Sequence, residues 1–366
     1  MRASAGFGAR LPLWSWLATG LIFSPLAWPR SMPVRLTTHT GVLHGTLEVP
    51  SGRGPFPVAL IIAGSGPTDR NGNALLLGLN TNCYEELAAS LARHGIASLR
   101  YDKRGAGQDF SLALPESKLR FGTYVSDAAA WARQLREDSR FSSLTIIGHS
   151  EGSLIGMIAA RRIGADGFIS IAGAGEPAAR LLAEQLKAKV PPGSYRVAQG
   201  ILGHLQAGHT VADVPQSLEA LFRPSVQPYL ISWFRYDPTR EIAKLTMPVL
   251  ILQGERDLQV GVSDARALSR ADPVATLVLL PRMNHVLKAV SESEQDNIKS
   301  YGEPNLPIDA ALARSIWRFI LHLPRRQPTQ RPASKSATAA LSGRGYEMQP
   351  RDPMIGIEGH RQPDGL

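Results

Sequence analysis

Residues 148–152, Gly-His-Ser-Glu-Gly, place a serine between two glycines at the end of the apolar run 144–147. A helical pattern begins directly afterwards, at residue 153. A G-x-S-x-G pattern between a strand and a helix predicts a very sharp turn with the serine at its apex. Gly148 and Gly152 would let neighbouring backbone pass close to that turn. The helix N-terminus also favours developing negative charge, so the pattern predicts that Ser150 is a nucleophile.

A serine hydroxyl barely ionises at neutral pH, so it needs a histidine to accept its proton and a carboxylate to orient that histidine. Asp257 follows the apolar run 248–254, and His285 follows the apolar run 275–281. Catalytic groups collect at the carboxyl ends of parallel strands. The order serine, acid, histidine therefore predicts a triad of Ser150, Asp257 and His285.

Other acids and histidines are alternatives to these two positions. Glu255 also follows the strand 248–254, whereas Asp264 is expected to begin a helix as a carboxylate near its cap. His149 precedes the serine, so its side chain is expected to point elsewhere, and His94 is expected at the end of a helix. The remaining histidines considered follow no predicted strand: His204, His209, His322 and His360.

Backbone N–H groups can stabilise the oxyanion that forms when a serine attacks a carbonyl group. Glu151, directly after the nucleophile, is the first expected donor. The second is expected from the glycine-rich loop 64–73, which follows the apolar run 58–64. Ser65 is the preferred residue in that loop and Gly66 the second choice. A plain Gly-Pro-Asn turn is the alternative interpretation of the loop.

The segment 101–109, Tyr-Asp-Lys-Arg-Gly-Ala-Gly-Gln-Asp, follows another predicted strand. Asp102 and Arg104 are expected to form a charge pair that fixes the loops around the site. This interpretation gives the segment a structural role.

Strand patterns alternate with helical patterns along the chain, which predicts an α/β fold with a mostly parallel sheet flanked by helices. A hairpin is predicted over 34–50, and further strands over 58–64, 96–102, 144–148, 167–173, 248–254 and 275–281. Helices are predicted over 83–95, 124–138, 153–164 and 308–323. Residues 176–240 contain no strong strand pattern, so we expect a helical insertion placed over one edge of the sheet.

The sequence divides into five predicted segments. Residues 1–33 form a signal-like or anchoring segment, because the uncharged stretch 11–28 follows Arg2 and Arg10. Prolines at positions 12 and 25 weaken a membrane-spanning interpretation, so a signal peptide, a tether and an apolar extension of a cytoplasmic protein all stay open. The other segments are the core, 34–175 and 241–323, the insertion 176–240, and a tail, 324–366, predicted to be disordered.

Composition excludes several classes of function. The formal net charge is +9, but much of the excess lies near the two ends of the chain, so no basic face for nucleic acid is expected. One cysteine, Cys83, excludes an internal disulfide and a multi-cysteine metal site. We expect no metal and no organic cofactor, and membrane contact only through the N-terminal segment.

Together these segments resemble the α/β-hydrolase superfamily over residues 36–323. The motifs that carry the resemblance are GHSEG at 148–152, DKRGAGQ at 102–108, GERD at 254–257 and MNH at 283–285. The loop 64–73 is similar to that of bacterial esterases with a G-S-G-P-x-D-R-D-G-N signature, although Asn71 stands where aspartate is usual.

The resemblance implies a carboxylic-ester hydrolase that acts on a small ester through Ser150, Asp257 and His285, with residues 176–240 as a cap. Serine aminopeptidases look similar, so a peptidase or amidase is an alternative. A thioesterase or an acyltransferase could use the same triad. A non-catalytic binding protein is less expected, because it would not need all three residues.

Overall fold

A computed structural model describes residues 29–324, which contain an eight-stranded sheet in the order β1-β2-β4-β3-β5-β6-β7-β8. The strands are β1 (Arg30–Thr38), β2 (Gly41–Val49), β3 (Phe56–Ile62), β4 (Ala97–Tyr101), β5 (Phe141–His149), β6 (Gly167–Ile171), β7 (Val249–Gly254) and β8 (Thr276–Leu280). β2 is antiparallel to both β1 and β4, and every other neighbouring pair is parallel. The predicted mostly parallel sheet is confirmed.

Eleven α-helices accompany these strands in the described part of the chain. They are α1 (Cys83–Arg93), α2 (Phe121–Glu137), α3 (Glu151–Ile163), α4 (Ala178–Lys189), α5 (Pro192–Gln206), α6 (Gln216–Phe222), α7 (Gln227–Trp233), α8 (Pro238–Ile242), α9 (Val262–Ala271), α10 (Glu294–Lys299) and α11 (Ala310–His322). The strands and helices predicted outside residues 176–240 agree with these bounds to within a few residues.

The core lies on both faces of the sheet, and β3 shows why. Alternate side chains of a strand point to opposite faces, and β3 is apolar at every position from Val58 to Ile62. Val58 and Leu60 pack with side chains of α2, α3 and α9, whereas Ala59 and Ile61 pack with those of α1 and α11. Full burial of one large aliphatic side chain stabilises the fold by about 1.5–3 kcal/mol. Because helices cover both faces of the sheet, polar functional groups are expected in the loops at its carboxyl edge.

Five helices, α4 to α8, lie between β6 and β7 in the chain. They contact the core through the start of α2. The Phe121 ring stacks on the Trp233 ring of α7 with centroids 6.0 Å apart. The Phe121 N–H also donates to the Ser232 hydroxyl at 2.8 Å. This contact fixes α7 against the core.

The first strand begins earlier than the sequence predicts. Residues 30–33 belong to β1, where Met32 pairs with Leu47, so the folded part starts before the predicted boundary at residue 34. The rest of the predicted signal-like segment and the predicted tail beyond residue 324 lie outside the described residues. Among the helices in residues 29–324, none is both long and apolar enough to span a bilayer.

Candidate active site

Ser150 lies at the turn between β5 and α3, in a backbone conformation that non-glycine residues seldom adopt. Its φ is 54° and its ψ is −123°. A Cβ atom added to Gly148 would lie 2.2 Å from the carbonyl oxygen of Gly152, and one added to Gly152 would lie 2.5 Å from that of Ala63. Because these neighbours are backbone atoms, both positions require glycine. The turn therefore holds Ser150 at the carboxyl end of β5.

A hydrogen bond joins the His285 imidazole to the Asp257 carboxylate, with Nδ1 2.8 Å from Oδ2. The carboxylate also accepts hydrogen bonds from the N–H groups of Gln259, at 2.7 Å, and Val260, at 2.9 Å. Burial by itself would raise the pKa of Asp257, but the His285 ring and these donors hold that pKa below its ordinary value. The ionised carboxylate keeps a proton on Nδ1, which leaves Nε2 as the basic nitrogen.

Ser150 and His285 line the same cavity, which has a volume of about 80 Å³ and is also lined by Ser65 and Tyr84. No hydrogen bond joins Ser150 to His285 among those found within residues 29–324. Hydrogen bonds between a nucleophile and its base are often long in a site without substrate. The structure thus pairs His285 with Asp257 and brings Ser150 and His285 to one cavity.

The alternative acids and bases have other environments. Glu255 is exposed. Asp264 accepts hydrogen bonds from the Gly175 N–H, at 2.9 Å, and from the backbone just before α9, at 3.2 Å, so it has the near-cap role expected of it. His94 follows the end of α1 and stacks on Trp317, with ring centroids 4.4 Å apart.

The loop after β3 passes close to Ser150. A Cβ atom added to Gly64 would lie 3.2 Å from the Ser150 Cβ. Glu151 follows Ser150 as the first residue of α3. Among the described residues, no acceptor is bound to the backbone N–H of Ser65, Gly66 or Glu151. These amides are therefore free to donate to an oxyanion at Ser150.

The expected charge pair between Asp102 and Arg104 does not form. Asp102 faces the loop after β3, where its carboxylate lies 2.5 Å from the Arg70 guanidinium. Arg104 faces α2 and lies 2.6 Å from the Asp127 carboxylate. Each residue therefore forms its own salt bridge on a different side of the turn. The salt bridge between Asp102 and Arg70 holds the loop after β3.

Comparisons with known proteins find similar sequences. A family model described as serine aminopeptidase, S33, matches residues 77–224. Esterase EstD of Thermotoga maritima is 28% identical over 273 residues, which is 71% of this chain and 61% of that protein, so this chain spans less than two thirds of its relative.

Solved structures decide the fold. Est1E from Butyrivibrio proteoclasticus has a TM-score of 0.54 at 18% identity, over 79% of this chain and 98% of that one. The α/β hydrolase GrgF from Penicillium sp. sh18 has a TM-score of 0.52 at 17% identity, over 80% and 98%. The chain has the α/β-hydrolase fold. The fold predicted from the sequence is therefore confirmed.

Both ring nitrogens of His149 have partners. Nε2 lies 2.8 Å from the carbonyl oxygen of His285, and Nδ1 lies 2.7 Å from the Tyr84 hydroxyl. A carbonyl can only accept, so Nε2 carries the proton and Nδ1 accepts from Tyr84. The Tyr84 hydroxyl in turn accepts from the Gly64 N–H at 3.2 Å. Burial, and then the nearby His285 ring, lower the pKa of His149 to about 3. His149 is therefore neutral and ties the His285 loop to α1.

Sequence reasoning missed Lys103, whose ammonium is buried between the Glu151 carboxylate and the loop after β3. Its Nζ lies 2.9 Å from the Glu151 carboxylate, 2.9 Å from the Gly64 carbonyl oxygen and 4.2 Å from the centre of the Tyr124 ring. The Tyr229 hydroxyl of α7 donates to the other Glu151 carboxylate oxygen. Burial alone would lower the pKa of Lys103, but the Glu151 carboxylate raises it above its ordinary value. The sequence did contain a signal for this residue, because Lys103 stands between an acid and an arginine directly after a buried strand.

A second cavity, of about 190 Å³, lies beside Ser150. Ser65, Ser150 and Glu151 line part of it. The rest of its lining is mostly apolar and includes Leu154, Leu181, Leu182, Leu221, Trp233 and Val260. A group bonded to Ser150 could extend into this space, because Ser150 lines it.

Metal-ligating side chains are not clustered in the described part of the chain. Within residues 29–324, no group of three or more His, Cys, Asp or Glu side chains is placed to hold a metal ion. Cys83 is buried, and burial raises the pKa of its thiol to about 11. Its thiolate is therefore scarce at neutral pH, which argues against a nucleophilic role.

Proposed function

We propose that this protein is a serine hydrolase that cleaves carboxylic esters through an acyl-enzyme intermediate. The observation that carries the proposal is the His285–Asp257 pair, which shares a cavity with Ser150 at a strained turn. The match to an esterase over 71% of the chain supports ester substrates. Within residues 29–324 the alternative acids and bases have other partners or are exposed, and His360 lies outside the described residues. This set is therefore the best candidate.

In the first step, Ser150 Oγ attacks the ester carbonyl carbon while His285 Nε2 accepts the hydroxyl proton. The negative oxygen of the tetrahedral intermediate accepts hydrogen bonds from the backbone N–H groups of Ser65 and Glu151. The intermediate collapses when the C–O bond to the alcohol breaks. The alcohol leaves with the proton from His285, and the acyl group stays on Ser150.

In the second step, water replaces the alcohol in the cavity. His285 Nε2 accepts a proton from the water molecule, whose oxygen attacks the acyl carbon. The bond to Ser150 Oγ then breaks, Oγ recovers its proton from His285, and the carboxylic acid leaves. Asp257 stays ionised throughout and stabilises the imidazolium that forms in each step.

Replacement of the nucleophile tests the proposal. A Ser150→Ala variant should lose kcat on p-nitrophenyl esters by about 10⁴-fold or more, because a triad without its nucleophile cannot form the acyl-enzyme. A fluorophosphonate probe should label the parent protein at Ser150, and label the variant nowhere. Ser126→Ala, at an exposed position of α2, is the control and should keep full rates and labelling. Parental rates in Ser150→Ala would disprove the proposal.

We also propose that the helices between β6 and β7 act as a cap that limits the acyl group. The cavity beside Ser150 is walled by Leu181 and Leu182 of α4 and by Trp233 of α7. Its volume of about 190 Å³ lies below the range of about 300–1,000 Å³ typical of pockets for drug-sized ligands. Short acyl groups therefore fit this cavity better than long ones.

Amide cleavage is the second candidate function, because the matching family model describes serine aminopeptidases. The same serine would attack an amide carbonyl, and His285 would protonate the leaving amine. Rates on p-nitrophenyl esters and on aminoacyl p-nitroanilides, measured side by side, separate the two functions. A higher kcat/KM on the anilides would replace the esterase proposal. Transfer of the acyl group to a thiol or another acceptor would appear as a new product in the same assays.

A further inference from the structure

We propose that Lys103 is a positioning residue that orients and polarises the Ser65 amide for the oxyanion. This inference rests on the proposed function, since it assigns a role within the same acyl-transfer site. Lys103 does not touch the reacting atoms. It acts through the peptide group between Gly64 and Ser65.

The geometry of that peptide group carries the first step of the argument. The Gly64 carbonyl and the Ser65 N–H belong to one trans peptide, so they point in opposite directions. The Lys103 ammonium binds the carbonyl oxygen at 2.9 Å from inside the protein. The Ser65 N–H therefore points away from Lys103, and Ser65 lines both cavities that contain Ser150.

The charge on Lys103 carries the second step. A hydrogen bond from a cation to a carbonyl oxygen polarises the whole peptide group, which makes its N–H a stronger donor. The effect is large only where water does not screen the charge. The Lys103 side chain is 3% exposed, so its field acts on the Ser65 peptide almost unscreened.

Lys103 also joins the two halves of the oxyanion site. Its ammonium binds the side chain of Glu151, and the backbone N–H of Glu151 is the second proposed donor. A second hydrogen bond also fixes Gly64, because its N–H donates to the Tyr84 hydroxyl. One buried cation thus sets the spacing between the Ser65 loop and the start of α3.

The test must not leave a buried charge unpaired, since removal of Lys103 alone would strand the Glu151 carboxylate and could prevent folding. We therefore compare Lys103→Met/Glu151→Gln, which removes both charges together, with the parent protein, which keeps both. Both proteins keep the backbone of residue 151. Loss of the Glu151 carboxylate cannot by itself weaken an oxyanion site, because a nearby negative charge disfavours an anion. Only the parent has a cation on the Gly64 carbonyl.

Relative to the parent, the double variant should lose about 10–100-fold in kcat on p-nitrophenyl acetate, with KM changed by less than about 3-fold. The expected loss is smaller than the 10²–10³-fold that follows removal of a whole oxyanion donor. A trifluoromethyl ketone inhibitor forms a tetrahedral adduct with the serine. Its Ki should rise by the same factor as kcat/KM falls, which a loss of stability alone would not cause.

Equal kcat and Ki in the parent and the folded double variant would overturn the role of Lys103. Lys103→Arg is the second variant, because arginine keeps the charge and the donors. It should stay within about 5-fold of the parent in kcat, and a folded Lys103→Arg protein as slow as the double variant would also overturn the proposal. Failure of the proposed function is a different result, in which the parent protein itself hydrolyses no ester and takes no fluorophosphonate label.

Discussion

Ser150 and its two glycines show how a short sequence can fix a reactive group. The serine occupies a positive φ because the chain must turn from β5 into α3 within one residue. The glycines are required by backbone atoms, which cannot move aside as side chains can. A five-residue pattern therefore predicts the position of the nucleophile without any knowledge of distant contacts.

We predict that Gly152→Ala lowers the free energy of unfolding by about 3 kcal/mol or more, the upper end of ordinary overpacking costs. The added methyl group would lie 2.5 Å from two backbone carbonyl oxygens. Urea denaturation measures the change. Gly200→Ala is the control, because Gly200 lies within α5 with no atom within 4 Å of the added group. It should raise stability by about 0.5–1 kcal/mol. Equal effects at both positions would contradict the packing argument.

His149 predicts a specific dependence of stability on pH. Its pKa is about 3 in the folded protein, against an ordinary value of 6.5. Below pH 6.5 the unfolded chain binds a proton that the folded protein does not. The free energy of unfolding should therefore fall as the pH drops from 6.5 towards 3, by up to about 1.4 kcal/mol per pH unit.

Urea denaturation at several pH values tests this dependence. The parent protein should lose about 2 kcal/mol more than His149→Gln between pH 6.5 and pH 5. Other titrating groups are common to both proteins, so they cancel in the comparison. Parallel pH profiles would show that the pKa of His149 is the same in the folded and unfolded states.

The sequence indicated Ser150, Asp257 and His285 because each follows an apolar strand, and a strand end can be recognised locally. It did not indicate Lys103 or Tyr84. Lys103 lies 48 positions from Glu151, and Tyr84 lies 65 positions from His149. Single-sequence patterns contain no information on such pairs, because the contacts form only after the sheet has brought β4, β5 and α1 together.

At the scale of elements, the core strands and helices could be predicted from the spacing of their apolar residues. Helices repeat apolar residues about every 3.6 positions, and strands show alternation or short continuous apolar runs. The insertion was expected to be helical, and α4 to α8 are helices. Their positions over Ser150 could not be predicted, because a short amphipathic helix can bury its apolar face against any of several apolar surfaces. The aromatic contact between Phe121 and Trp233 is one such packing contact, between residues far apart in the sequence.

We predict that a larger side chain on α4 shortens the acyl group that the protein accepts. Leu182 lines the 190 Å³ cavity, so Leu182→Trp should fill part of it. The ratio of kcat/KM for p-nitrophenyl acetate to that for the hexanoate should rise by about tenfold or more, since a lost methylene contact is worth about 1–3 kcal/mol.

Glu184→Trp is the matched control for this prediction. Glu184 lies on the same helix, but it is exposed and away from the cavity. It should leave the acetate-to-hexanoate ratio within about twofold of the parent. An unchanged ratio in Leu182→Trp would mean that the acyl group binds elsewhere.

At the scale of the whole molecule, fold class was the easiest property to predict. Alternating strands and helices permit few arrangements other than a parallel sheet covered on both faces. The boundary at residue 34 was placed too late, because β1 begins with the polar residues Arg30 and Ser31, which have no apolar period. Edge strands carry weaker patterns than central ones, since only part of their surface is buried.

The insertion between β6 and β7 affects how the protein folds. These strands are neighbours in the sheet, yet five helices separate them along the chain, so their pairing closes a long loop at a high entropic cost. Both Asp257 and His285 come after that loop. A folding intermediate that lacks this pairing can contain every helix and still lack the proposed triad, so helix content is a poor guide to whether the proposed site has formed.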